Sequence, residues 1–223
     1  SDVCSSDLNL WVLVGSDDQV VIRYARSEMG QGSFTSAPML VAEELGCRWE
    51  QVRVEYVSAN ANARSKRAWG AMNATGSQTI RSSQEYLRRA GATARLMLVA
   101  AAAQKWNVPA AECSVADGII RHVGTGQSCT FGDVAEAAGK LEVPKEVKLK
   151  DPKDWTLLGK PIPRFDIPTT VRGKQRYGID TQLPGMVYAA VAQCPVFGGT
   201  VKSMDASKAE KRRGVIRVMN LES

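Results

Sequence analysis

Two short stretches combine residue types that suit an anion at a peptide edge. One is Glu28-Met29-Gly30-Gln31-Gly32-Ser33-Phe34-Thr35, and the other is Ala74-Thr75-Gly76-Ser77-Gln78-Thr79. Each places glycines and small hydroxyls just before a helix-like run. The first N–H groups of a helix lack intrahelical partners and its dipole is positive there, so such a junction favours negative charge. Glycine lets a ligand reach the backbone, and the Gln31 carboxamide both donates and accepts. Neither stretch matches the phosphate loop or the dinucleotide fingerprint. A Gly-x-Gly before a helix is often only a tight turn, so spacing alone leaves both readings open.

Other reactive side chains read as structural. Glu43 and Glu44 fall within the helical run after the first junction. Glu28 precedes the glycine loop, where a structural hydrogen bond fits better than a catalytic base, which must reach the proton it removes. No residue is assigned a catalytic or metal-ligating role. The single histidine, His122, ends a strand-like run and reads as surface or hydrogen-bonded. Cys47, Cys113, Cys129 and Cys194 form no Cys-x-x-Cys pair and read as free thiols, so zinc or iron–sulfur ligation by this chain alone is not expected. Trp11, Trp49, Trp106 and Trp155 read as packing residues. Trp69 lies close to the second junction, where packing is a better reading than a substrate wall.

The elements that must position these residues follow from periodicity. Residues 9–24 read as a hairpin turning at Gly15-Ser16-Asp17-Asp18. Phe34 to Leu45 reads as a helix with Pro38 in its first turn and Gly46 as its stop. Gln51 to Val57 alternates as a half-buried strand. A polar loop spans Ser58 to Gly76. One long helix is then predicted from about Gln78 to Trp106, with Ile80, Leu87, Ala90, Ala94, Leu98 and Ala101 on one face and a solvated Arg81/Arg88/Arg95 stripe on another. A small hairpin at Ala116–Ile120 and a helix over Phe131–Gly139 capped by Thr130 follow. Residues 145–164, rich in Lys, Asp and Pro, read as an extended connector. Beyond residue 169 a second unit is expected, with strands at Met186–Gln193, Thr200–Met204 and Val215–Met219 and a short helix at Ala206–Lys211. The fold class is α+β.

Composition bounds the rest. A chain of 223 residues with 44% hydrophobic and 23% charged residues can bury a core. Its longest apolar run, Leu96–Ala103, is far short of the roughly 18 residues a membrane helix needs. Ser1–Leu8 reads as a translated sequencing adapter and is set aside from the fold. With no starting Met, the true N-terminus is expected to be missing, which leaves the compartment open between cytoplasm and periplasm. Setting aside Asp2 and Asp7 leaves 29 basic against 21 acidic residues. That balance suits nucleic acid, an acidic partner or an anionic cofactor. No basic tail or aromatic–basic interleaving points to nucleic acid.

Taken in order, Glu28-Met29-Gly30-Gln31-Gly32, Ala42-Glu43-Glu44-Leu45, Val52-Arg53-Val54 and Gly76-Ser77-Gln78-Thr79 resemble a stretch of the molybdopterin-binding large subunit of the xanthine oxidase family, in the branch formed by isoquinoline 1-oxidoreductase beta subunits. Gly173-Lys174-Gln175-Arg176-Tyr177-Gly178-Ile179-Asp180, Leu183-Pro184-Gly185-Met186, Val196-Phe197-Gly198-Gly199 and Gly214-Val215 resemble the opening of that branch's α/β hammerhead domain. The likeness spans roughly residues 9–219. It implies a partial molybdopterin-binding domain over 9–143, a linker over 144–168 and a truncated hammerhead over 169–223.

It also implies that Gly30, Gln31 and Gly32 line the pterin dithiolene, and that Gly76, Ser77, Gln78 and Thr79 hold the pterin and its phosphate. Gln78 replaces the arginine common at its position, which argues against a charged clamp there. The implied cofactor is a molybdenum-bearing molybdopterin in its cytosine dinucleotide form, and the implied activity is oxidation of N-heterocycles or aldehydes with water as oxygen source. The implied partners are a small subunit carrying 2Fe–2S clusters, the remainder of the large subunit and a small-molecule substrate. The family's catalytic glutamate lies in a later part of its chain. This chain alone is therefore expected neither to hold the cofactor firmly nor to turn over. Two other readings stay open. One is a non-catalytic partner-binding or assembly module on the same fold, to be told apart by a downstream glutamate. The other is a nucleic-acid binder, to be told apart by salt-dependent affinity.

Overall fold

The computed structural model describes residues 5–221. Alternating apolar residues form the expected hairpin, in which β2 (Val12–Gly15) and β3 (Val20–Tyr24) pair antiparallel with Val12 opposite Ile22. β4 (Val52–Tyr56) joins β3 in parallel, and β1 (Ser5–Asp7) adds antiparallel to β2, giving the order β1-β2-β3-β4. Residues 5–8, set aside from the sequence, therefore take part in the fold. The open edge of β2 accepts an extended backbone, Ser6 sits opposite Val14, and Leu8 is fully buried.

The parallel step from β3 to β4 needs a crossover, and α1 (Ser33–Leu45) supplies it, stopping at Gly46 with φ 79°. Pro38 is the sixth residue of α1 rather than part of its first turn, so the helix forgoes one internal hydrogen bond there. α1 packs along α4 (Gln84–Trp106), whose buried positions include Leu87, Ala90, Ala94, Leu98 and Ala101, as the periodicity requires. The two helices approach closely at Gly91, where a Cβ would overlap the Val41 carbonyl oxygen. A second sheet, β5 (Cys113–Ala116), β6 (Ile119–His122) and β7 (Ser128–Thr130), turns through Asp117 and Gly118, both at positive φ. This pair is the hairpin turn signature.

Several local expectations are corrected. The helix expected from Gln78 to Trp106 is broken. α3 (Gln78–Arg81) ends where Ser82 Oγ and Ser83 Oγ donate to the Gln78 and Thr79 carbonyls, and α4 starts afresh at Gln84. Serine hydroxyls compete for helix carbonyls in this way. The polar loop contains α2 (Ala59–Arg64), capped by Ser58 Oγ, which accepts from the Ala61 N–H at 3.0 Å. The Phe131–Gly139 helix shrinks to α5 (Ala135–Gly139), and Thr130 instead closes the preceding turn by accepting from the Asp133 N–H.

Residues 145–166 have little regular structure, yet they are docked. Glu43 accepts from the Thr156, Leu157 and Leu158 N–H groups at 2.9, 2.6 and 3.1 Å and pairs with Lys150 Nζ at 2.9 Å. Glu44 pairs with Arg88 at 2.6 Å and accepts from the Lys150 N–H at 3.0 Å. The stripe read as solvated also serves this segment, because Arg88 and Arg95 donate to the Lys150 and Lys148 carbonyls. Phe165 stacks on Trp49 with ring centres 4.8 Å apart.

The chain divides into two compact units after Gln175. Within residues 176–221 the expected strands are not formed, and among the described residues no strand lies beyond Thr130. The 186–193, 200–204 and 215–219 segments have no ladder partner in the unit, and an extended chain without one gains nothing from its β propensity. The expected helix is a single turn, α6 (Ser207–Glu210). Among the described residues no helix is long and apolar enough to cross a membrane.

Candidate functional site

The first glycine loop bends because Gly30 and Gly32 adopt φ of 103° and 82°, which side-chain-bearing residues avoid. The anion at its helix end is the chain's own. Glu28 accepts from the Gly30, Gly32 and Phe34 N–H groups at 2.8, 2.9 and 2.8 Å. The open amides expected there are therefore already occupied, and Glu28 is a structural cap rather than a base. Gln31, although exposed, is likewise engaged within its own loop. Its Oε1 accepts from the Met29 N–H at 2.6 Å, and its Nε2 donates to the Ser27 carbonyl at 2.8 Å and to Ser33 Oγ at 2.6 Å.

At the second junction Gly76 and Ser77 both take left-handed geometry, with φ of 63° and 58°. Gly76 and Ser77 are exposed, Gln78 is half-buried and Thr79 is buried. The helix they open, α3, is one turn long, so it cannot supply the dipole expected of a long helix.

The two junctions lie close together. α3 packs on α1. Ser33 Oγ, which takes the Gln31 amide, is 2.6 Å from the Tyr24 hydroxyl, and Thr79 lies beside that same phenol. Burial raises the Tyr24 pKa despite the hydrogen bond to Ser33. Burial also pushes the neighbouring Tyr56 up to about 12, so both phenols stay protonated at neutral pH. Arg26 donates to the Ala71 and Asn73 carbonyls and so ties the end of β3 to the second loop. A small hollow beside Tyr24 is lined by Trp11, Tyr24, Arg26, Pro38, Thr79 and Tyr86, so that Thr79 alone of the two loops' residues borders it. The Thr79 Oγ1 is buried there beside the Tyr24 hydroxyl but makes no well-aligned hydrogen bond. Such a group is costly unless something else satisfies it.

Gln31, through Ser33, and Thr79 thus meet at Tyr24. Sequence reasoning missed Tyr24 and Arg26, which join the loops, and Arg164, which donates to the Gly30 carbonyl at 2.9 Å. Nothing local marks Arg164, because it lies 134 residues from Gly30. His122 is away from this region. It is buried at the end of β6 and bonded to Thr125 Oγ1 at 2.8 Å and Glu112 at 2.9 Å, as a hydrogen-bonded histidine should be.

Comparison with known proteins identifies the family. Residues 4–177 match the family model for the molybdopterin cofactor-binding domain. The chain is 33% identical to the beta subunit of isoquinoline 1-oxidoreductase from Brevundimonas diminuta, over 96% of this chain and 32% of that protein. It is 28% identical to a subunit of nicotinate dehydrogenase from Pseudomonas putida, over 96% of this chain and 18% of that one. The chain thus spans a third or less of these curated relatives. Among solved structures, quinoline 2-oxidoreductase from Pseudomonas putida 86 aligns at 19% identity and a TM-score of 0.45, over 56% of this chain and 15% of that one. The family match covers all of the first compact unit from residue 4 onward, both glycine loops and the docked connector included. The chain belongs to the molybdopterin cofactor-binding domain family.

Proposed function

We propose that this chain forms part of the cofactor cradle of a molybdenum hydroxylase. Gly30, Gln31 and Gly32 line one side, and Gly76, Ser77, Gln78 and Thr79 line the other. The observation that supports this is the meeting of the two loops at Tyr24, which bonds Ser33 next to Gln31 and lies beside the buried Thr79 hydroxyl. The residues fit a pterin in kind. Two loops are bent at glycines, no heavy atom stands within 4 Å of a Cβ built on Gly30, and the buried Thr79 hydroxyl makes no well-aligned hydrogen bond. Thr79 would bind a polar edge of the ligand, and Ser77 and Gln78 would orient it. Tyr24 and Arg26 keep the loops together, and Glu28 holds the first loop's shape.

The cofactor is taken as molybdopterin in its cytosine dinucleotide form. When bound in a complete large subunit it supplies oxidative hydroxylation of N-heterocycles or aldehydes, with water as oxygen source. The partner that would accept the electrons is a small subunit carrying 2Fe–2S clusters. Residues 176–223 are read as the opening of the hammerhead domain. A second reading, a non-catalytic partner-binding module on the same fold, is favoured by one observation: the first loop's amides and the Gln31 carboxamide are already satisfied within the chain.

Titration with molybdopterin released from a denatured molybdenum enzyme, followed by pterin fluorescence, separates the two readings. The cradle reading expects weak but saturable binding that falls about fivefold in Thr79→Val, the effect of losing one hydrogen bond. Absence of binding, or binding indifferent to that substitution, favours the non-catalytic module.

A further inference from the structure

The connector does more than cross the surface of the first unit, because its far end closes on the first glycine loop. Arg164 Nη1 donates to the Gly30 carbonyl at 2.9 Å, and Arg164 Nη2 lies 3.5 Å from Glu28 Oε1. Glu28 is the carboxylate that gathers the Gly30, Gly32 and Phe34 amides. One guanidinium thus touches the loop's outward carbonyl and the internal anion that shapes the loop from within. Its own orientation is set by Asp166, which accepts from Nε at 2.9 Å and from Nη2 at 2.5 Å. This fork-to-carboxylate geometry is specific to arginine. The next residue anchors the same spot, since the Phe165 N–H donates to Thr35 Oγ1 at 3.0 Å. The Arg164 side chain also lies at van der Waals distance, 3.7 Å, from where a Gly32 Cβ would stand.

We propose that Arg164 is a positioning residue that fixes the Gly30–Gln31–Gly32 loop by holding the Gly30 carbonyl and the Glu28 carboxylate together, with Asp166 orienting it. The latch stands on this geometry alone, while its service to a cofactor rests on the cradle reading given above. Lysine keeps the charge but not the fork, so Arg164→Lys restores only part of the effect. Asp166→Asn leaves the guanidinium in place but frees its orientation.

Amide hydrogen exchange on the full chain tests the latch without any ligand. In Arg164→Gln the amides of residues 30–34 are expected to exchange about tenfold faster, as loss of a charged hydrogen bond predicts. β2, β3 and α4 should hold their rates, Arg164→Lys should fall between, and Asp166→Asn should follow Arg164→Gln. A uniform rise over the whole first unit would mean general destabilisation and overturn the proposal, as would unchanged loop exchange. The same variants are then titrated with released molybdopterin. A dissociation constant raised at least about fivefold in Arg164→Gln supports positioning for the cofactor, and unchanged affinity beside a loosened loop overturns it. If the unaltered chain binds no pterin, the cradle reading fails and the proposed service to a cofactor fails with it. The exchange data still decide the latch.

Discussion

Two segments with almost no regular structure behave in opposite ways. Residues 145–166 carry charges and prolines and offer no periodicity, yet buried carboxylates, arginines and an aromatic stack hold them. Residues 186–219 carry the alternating apolar pattern of strands, yet Val187, Tyr188, Val191, Phe197 and Ile216 are exposed and no ladder forms. Order here follows from where backbone polar groups find partners, more than from local propensity. The connector's N–H groups find Glu43 and Glu44. The second unit's segments find no strand partner within it.

The sharpest way to break this contrast is Glu44→Ala. Glu44 is fully buried between Arg88 and the Lys150 N–H. Its removal strands a partly buried guanidinium and should cost about 3 kcal/mol, read as a lower urea midpoint and as new tryptic cleavage within residues 145–153. A loss below about 0.5 kcal/mol, the level of an ordinary surface change, would mean that the carboxylates do not hold the connector.

Acid should act on the same region more gently. Burial by itself would raise the Glu43 pKa, but hydrogen bonds from Leu157, Lys150 and Leu158 outweigh it and hold the carboxyl below its usual 4.5. Below about pH 4.5 the unfolded chain therefore binds the proton more readily than the folded one, and stability falls as acid passes through the depressed value. Glu43→Gln should be less stable than the unaltered chain at neutral pH. The gap should narrow in denaturation curves taken at about pH 3.5. A gap of constant size between the two conditions would remove Glu43 from the acid response.

The smallest effect belongs to the second unit. Phe197 is fully exposed, so Phe197→Ser should shift stability by no more than about 0.5 kcal/mol, despite removing a large aromatic side chain. A loss of several times that amount would show that the 186–219 segments are ordered by their own apolar contacts, and the contrast with the connector would vanish.

Much of the scaffold was legible from residues 9–143. Alternation at Val12, Val14, Val20 and Ile22 predicted the β2–β3 hairpin, Gly46 marked the end of α1, and the Asp117-Gly118 pair marked the β5–β6 turn. The break at Ser82–Ser83 was not legible. Serine is tolerated in a helix as well as at its end, and only the observed hydroxyl-to-carbonyl bonds decide between the two. At the candidate site, the types and order of Gly30, Gln31, Gly32, Gly76, Ser77, Gln78 and Thr79 marked the two loops. Their periodicity said nothing of Glu28 filling one helix end or of α3 being too short to charge the other.

The linear order of residues determined the family, through the succession of its motifs, and also the strand and helix periodicities and the glycine turns of the first unit, because periodicity and turning depend on neighbours within a few positions. Folding in three dimensions decided which groups share a proton or a charge. Glu43 and Glu44 reach the connector across 106 to 115 residues, and Arg164 reaches Gly30 across 134. Partners so far apart are chosen by which surfaces meet when the core closes, since a carboxylate taken out of water must find a donor wherever the packing brings one.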